Sequence, residues 1–113
     1  MASFKFGSTK KIYTIEGISK EYVIDVGNVE TMKAWREQLP SVLANAEAMG
    51  KGGADLEPLI LLIKDMVNLI LDNDFPVIWD LSGHNIYAML GLISDLSKII
   101  GDAQKDIAKT YGL

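Results

Sequence analysis

The chain has 113 residues, one histidine, no cysteine and a net charge of −4 at neutral pH, from 11 Lys/Arg against 15 Asp/Glu. That length sets a single domain able to bury a core, and the missing cysteines exclude disulfides, thiolate metal sites and cysteine nucleophiles together. Residues 1–53 hold seven bases and six acids, residues 54–113 four and nine; an acidic helical half repels phosphate backbones, so nucleic acid is not expected as a partner.

Hydrophobic residues make up 49% of the chain and the mean hydropathy is +0.17, high beside 23% charged residues. The richest stretch, Leu56 to Leu71, contains Glu57, Lys64, Asp65 and Asn68. It falls short of the ~20 apolar residues that cross a bilayer, so no membrane span is expected. The opening Met1-Ala2-Ser3-Phe4-Lys5-Phe6 lacks the basic region and apolar run that secretion needs. The excess apolar surface is therefore expected to be covered inside the domain or by another protein.

In chain order, Phe4-Lys5-Phe6 alternates and Gly7-Ser8-Thr9 supplies turn chemistry. Lys11 to Ile15 is rich in β-branched and aromatic residues. After a reversal at Glu16-Gly17-Ile18-Ser19, Tyr22, Ile24 and Val26 share one face and Glu21, Val23 and Asp25 the other. This period of two predicts a half-buried strand. Asn28 is a good helix cap, with Glu30 in the first turn where the helix dipole favours an anion. Val29, Met32, Trp35, Leu39, Val42, Ala46 and Met49 then recur at helical spacing, with Pro40 expected to kink or divide the helix. Gly50-Lys51-Gly52-Gly53 reads as a loop.

The helix from Leu56 to Leu71 is apolar over most of its circumference, with its polar residues in a narrow stripe. A helix this dry is central or covered by another subunit. Asp72-Asn73-Asp74 ends it, and Phe75-Pro76 starts a short helical turn carrying Trp79. Ser82 is placed to cap a last helix running from about Gly83 to Thr110, roughly 40 Å long at ~1.5 Å per residue. Its residues Ile86, Met89, Ile93, Leu96, Ile100, Ala103 and Ile107 step by threes and fours, the spacing of a packed seam. Asp95/Lys98, Asp102/Lys105 and Asp106/Lys109 are placed to pair outside it. Leu92 and Ile99 form a second apolar line that the seam leaves over.

Residues with catalytic or ligating chemistry are few. His84 has no second histidine with which to build a zinc site, so a capping or surface role is expected. Asp72, Asp74 and Asp80 suggest calcium, yet the sixth and twelfth positions counted from Asp72 are Val77 and Gly83, where an EF-hand needs glycine and glutamate. Around Gly50-Lys51, Asn45 and Gly52 stand where a phosphate loop needs glycine and Ser or Thr. No enzyme activity, metal or cofactor is expected. Six apolar residues are the candidates for contact with another protein: Leu92 and Ile99, Trp79, and Leu62, Met66 and Leu69 of the apolar helix. Trp35, on the stripe of the first helix, is expected in the core.

The expected fold is α+β and mostly α, in one domain over residues 1–113. A β-hairpin or meander occupies 1–26, a kinked helix 28–49, a glycine-rich loop 50–55 and a helical hairpin-like region 56–111, with four or five helices in all. The order of these features resembles the small tail assembly chaperones of long-tailed phages and prophages of Gram-positive bacteria. The likeness is carried by the opening Phe4-Lys5-Phe6-Gly7, by Tyr22-Val23-Ile24-Asp25-Val26 leading through Gly27-Asn28 into a helix, and by the acidic helical remainder. The resemblance implies a cytoplasmic factor of the bacterial host cell that self-associates and coats the tape measure protein until tail-tube subunits replace it. A small structural or adaptor component of a virion or secretion machine is the rival expectation, distinguished by its presence in the finished particle.

Overall fold

Six elements follow one another in the computed structural model, which describes residues 2–52 and 55–113. Strands β1 (Lys10–Thr14) and β2 (Glu21–Asp25) precede helices α1 (Val29–Gly50), α2 (Glu57–Ile70), α3 (Phe75–Leu81) and α4 (Ile86–Thr110). The fold is therefore mostly helical, with four helices behind an N-terminal antiparallel β-hairpin.

The hairpin pairs Lys10 with Asp25, Ile12 with Val23 and Thr14 with Glu21. In this register Tyr22, Ile24 and Val26 turn inward, all buried, while Ile12 and Val23 face each other on the outside. Ile18 N–H donates to the Ile15 carbonyl to close the connecting turn. There Gly17 has φ +94° and a Cβ would come 3.0 Å from Leu81 Cδ1, so glycine meets both the backbone and the space. A third strand over Phe4–Phe6 does not form: Phe4 is 94% and Phe6 97% exposed. Alternation alone does not make a strand when no neighbouring edge accepts its hydrogen bonds.

Asn28 caps α1, its side chain accepting from Thr31 N–H at 2.9 Å. The helix runs unbroken through Pro40, so the expected division does not occur. Arg36 and Pro40 both lie on the exposed side, where water can serve the Arg36 carbonyl that the proline leaves without an N–H partner. Gly50 is the last residue of α1. Of the loop expected at 50–55, Gly53 and Ala54 lie outside the described residues.

α2 begins with Pro58 in its first turn and contributes Leu59, Ile63, Met66, Val67 and Ile70 to the core. It is the hub, packed against both α1 and α4. Asp72 and Asn73 then reverse the chain with φ of 53° and 57°, a left-handed conformation that Asp and Asn tolerate better than most side chains. Asn68 of α2 accepts from Phe75 N–H and so caps α3 from a distance.

The last helix starts three residues later than expected, at Ile86 rather than Gly83. Asn85 is its cap, accepting from Tyr87 and Ala88 N–H, whereas Ser82 closes α3 by donating its hydroxyl to the Trp79 carbonyl. Gly83 and His84, both at positive φ, form the turn between them. The seam residues Met89, Ile93, Leu96, Ile100 and Ala103 are all buried. The Asp/Lys pairs expected along α4 do not close; the ion pairs among the described residues join Lys20 to Asp72 and Asp74, Lys33 to Glu37, and His84 to Asp80. Gln104 ties three elements together, donating to the Val26 carbonyl at 3.2 Å and accepting from Arg36 of α1 at 3.0 Å. The molecule measures 66 × 30 × 19 Å.

Candidate protein-binding surface

Apolar side chains only partly covered by the core collect in grooves. The first lies between the end of β1 and α4. Leu92, Leu96 and Ile99 line it from the helix, at spacings of four and three, and Tyr13, Ile15 and Leu71 form the opposite wall. Its volume is about 250 Å³. Leu96 is the buried floor, Leu92 is half-buried, and Ile99 at the rim keeps 37% of its surface exposed. Asp95 supplies a carboxylate at the edge. Burial pushes the Tyr13 phenol above its ordinary pKa. A dry wall with one charged edge suits the apolar face of a partner helix.

The structure thus brings Leu92 and Ile99 together and separates the other four candidates from them. Trp79 is half-buried, stacked on Phe75 at 5.6 Å between centroids and on His84 at 5.0 Å. His84 Nε2 lies 2.7 Å from Asp80 Oδ1, which holds the imidazole in place over the indole. Leu62 and Leu69 are half-buried against the core. Met66 has no exposed surface at all. It belongs to the interior and cannot touch a partner while the bundle is closed, because it points half a turn away from the polar stripe of α2.

Two surface leucines join the candidates only in the folded chain. Leu61 is 50% exposed, inside the polar stripe of α2 between Glu57 and Lys64. Its spacing from Glu57, four residues, is the signal that the sequence offers for it. Leu43, 58% exposed, borders a second apolar groove of about 330 Å³ between α1 and α4, with Leu39, Val42, Leu90 and Ile93. The spacing Leu39–Leu43–Ala46 marks this line on α1.

Asp72 and Asp74 bracket the ammonium group of Lys20. Lys20 Nζ lies 2.6 Å from Asp72 and 2.8 Å from Asp74, and the buried Tyr22 donates its hydroxyl to Asp74 at 2.9 Å. Among the described residues no group of three His, Asp or Glu side chains is placed to hold a metal ion. The Lys20 ammonium and the Tyr22 hydroxyl hold the Asp74 carboxyl below its ordinary range, and the Thr9 hydroxyl with Gly27 N–H does the same for Asp25. Hydrogen bonds to Asp72 and Asp74 push Lys20 above its ordinary value. Both carboxylates therefore stabilise the fold fully above their unfolded values, about 4, and lose that contribution as pH falls through their folded ones. Lys20 contributes fully below about 10.4 and loses it as pH rises further. Urea midpoints should be flat between about pH 5 and 10 and fall in acid, with a shallower acid decline in Asp74→Asn. The same decline in Asp74→Asn as in the parent chain would remove Asp74 from the account. Salt should blunt the effect, because these groups are partly exposed.

No described helix is long and apolar enough to cross a membrane. No protein-family model, no curated protein and no solved structure matches this chain, so its function is read from the surfaces just described.

Proposed function

We propose that this protein is a non-enzymatic assembly factor that self-associates and holds a helical partner, acting as a phage tail assembly chaperone on the tape measure protein in the bacterial cytoplasm. The observation that carries this reading is the groove of Leu92, Leu96 and Ile99 against Tyr13, Ile15 and Leu71. It presents an apolar strip along one helix face, where the i, i+4, i+7 residues of a partner helix find matching partners. The likeness of element order to the tail assembly chaperones supports the choice of partner. Tail-tube subunits would then displace the protein as the rod is enclosed.

The test is binding of a helical tape measure fragment, followed by calorimetry. Ile99→Asp should weaken it about tenfold and Leu92→Asp with Ile99→Asp about a hundredfold or more, because a carboxylate replaces the apolar area that the partner helix would cover. Ile99 is the safer probe because it is already at the surface. Unchanged affinity in Ile99→Asp and in Ile99→Ala would place the binding surface elsewhere.

A further inference from the structure

β2 has a hydrogen-bonded neighbour on one side only among the described residues. Its other edge looks into a groove of about 520 Å³, which all five β2 residues line and which Asn68, Leu69 and Ile70 of α2 close on the far side. An open edge of this kind is a template for another strand. The groove is acidic: Glu21, Asp25 and Asp72 line it, and no lysine or arginine does. Asp72 is already engaged by Lys20 and Asp25 by the Thr9 hydroxyl and Gly27 N–H, which leaves Glu21 as the carboxylate on the outward face of β2.

The same molecule carries a segment of opposite character. Residues 2–11 hold Lys5, Lys10 and Lys11 and no acid. Ahead of β1 this arm alternates Phe4-Lys5-Phe6, with both phenylalanine rings more than nine-tenths exposed. Two bare aromatic rings two residues apart, in a chain whose other aromatics are mostly packed or stacked, are the apolar face of a strand without a sheet.

We propose that the N-terminal arm of one copy, residues 2–8, adds as a strand to the open edge of β2 in a second copy. This rests on the self-association proposed above and assigns it a surface. Period two does the matching. With Phe4 and Phe6 turned toward Leu69 and Ile70 of the α2 wall, Lys5 falls on the outward face of the ribbon, the face that carries Glu21, where opposite charges on adjacent strands attract. The arm leaves from the β1 side of the ribbon, opposite to that groove. Thr9 is fixed to the other side of the ribbon, its carbonyl accepting from Val26 N–H and its hydroxyl donating to Asp25. A Cβ on Gly27 would collide with Thr9 Oγ1, so the chain leaving β2 closes the passage between them. Gly7 instead lies beside the Tyr111 hydroxyl, beyond the end of α4. An arm that meets a different surface on the next copy makes a heterologous contact, which grows into an open chain unless its rotation closes a ring.

The chain has no cysteine of its own, so a pair introduced as Lys5→Cys with Val23→Cys reports this contact alone. Under mild oxidation, a ladder of linked oligomers on a non-reducing gel is the expected result. In parallel, Phe4→Ser with Phe6→Ser should raise the concentration at which the mass seen by light scattering climbs, by about a hundredfold. These two rings are exposed in the free chain, so their loss leaves its fold intact. A monomer with an internal link would put the arm on its own edge and overturn the proposal. A parent chain that assembles, with no ladder and no effect of the serine pair, would overturn the arm while leaving self-association standing. A parent chain that stays monomeric at every concentration would remove both.

Discussion

Met66→Ala should lower the free energy of unfolding by about 2–5 kcal/mol, the range for truncating a fully enclosed aliphatic side chain. Met66 is 0% exposed on α2, the helix that both α1 and α4 pack against. Truncation there opens a space that three helices must move to refill, and a packed interior relaxes only in part. A domain of this size holds roughly 5–15 kcal/mol in all, so the variant should melt at least ~10 °C earlier. Urea titration checks it: the midpoint should fall while the slope stays constant. An unmoved midpoint would show that Met66 is not enclosed, and would restore it as a contact residue.

Tyr22→Ala should have a comparable effect, about 3–5 kcal/mol, but with a different distribution. Tyr22 is 1% exposed and is the largest side chain that the hairpin buries. Its ring lies under the Lys20 ammonium at 5.4 Å and its hydroxyl reaches Asp74. Removing it deletes the packing of the ribbon and its tie to the turn before α3, while the helix seam stays packed. Amides of β1 and β2 should therefore lose hydrogen-exchange protection before those of α2 and α4. Tyr22→Phe, which keeps the ring, should show a much smaller change. Equal loss of protection throughout would mean that the hairpin and the helices open as one unit.

How much of this fold is legible in the sequence depends on whether periodicity has one solution. The alternation Tyr22, Ile24, Val26 leaves a single face to bury, and all three are inside. The steps from Met89 to Ala103 likewise define one seam, and Asn28 is the one good cap before α1. Where the pattern is ambiguous, geometry decides. Ser82 and Asn85 are both good caps, and the choice turns on His84 taking φ 56°, which no propensity fixes. The apolar helix 56–71 offers several faces, which makes Met66 a surface candidate on composition alone. Yet its position half a turn from Glu57, Leu61, Lys64 and Asn68 points inward. The Leu92/Ile99 line is visible as a surplus, whereas its other wall is not. Tyr13 and Ile15, at the end of the first strand, lie far in the chain from Leu71 and from α4, and their meeting is a property of tertiary packing alone.

The 66 Å long axis has a hydrodynamic consequence. The Cα radius of gyration is 16.3 Å, against about 13 Å for a compact chain of this length. Such a particle meets extra frictional drag, and a gel-filtration column calibrated with spheres will overstate its mass. A single copy of 12.4 kDa would then elute ahead of its true mass, toward the position of a compact dimer. Early elution is therefore no sign of assembly for this shape, and only a measurement independent of drag, such as scattered intensity, counts the subunits.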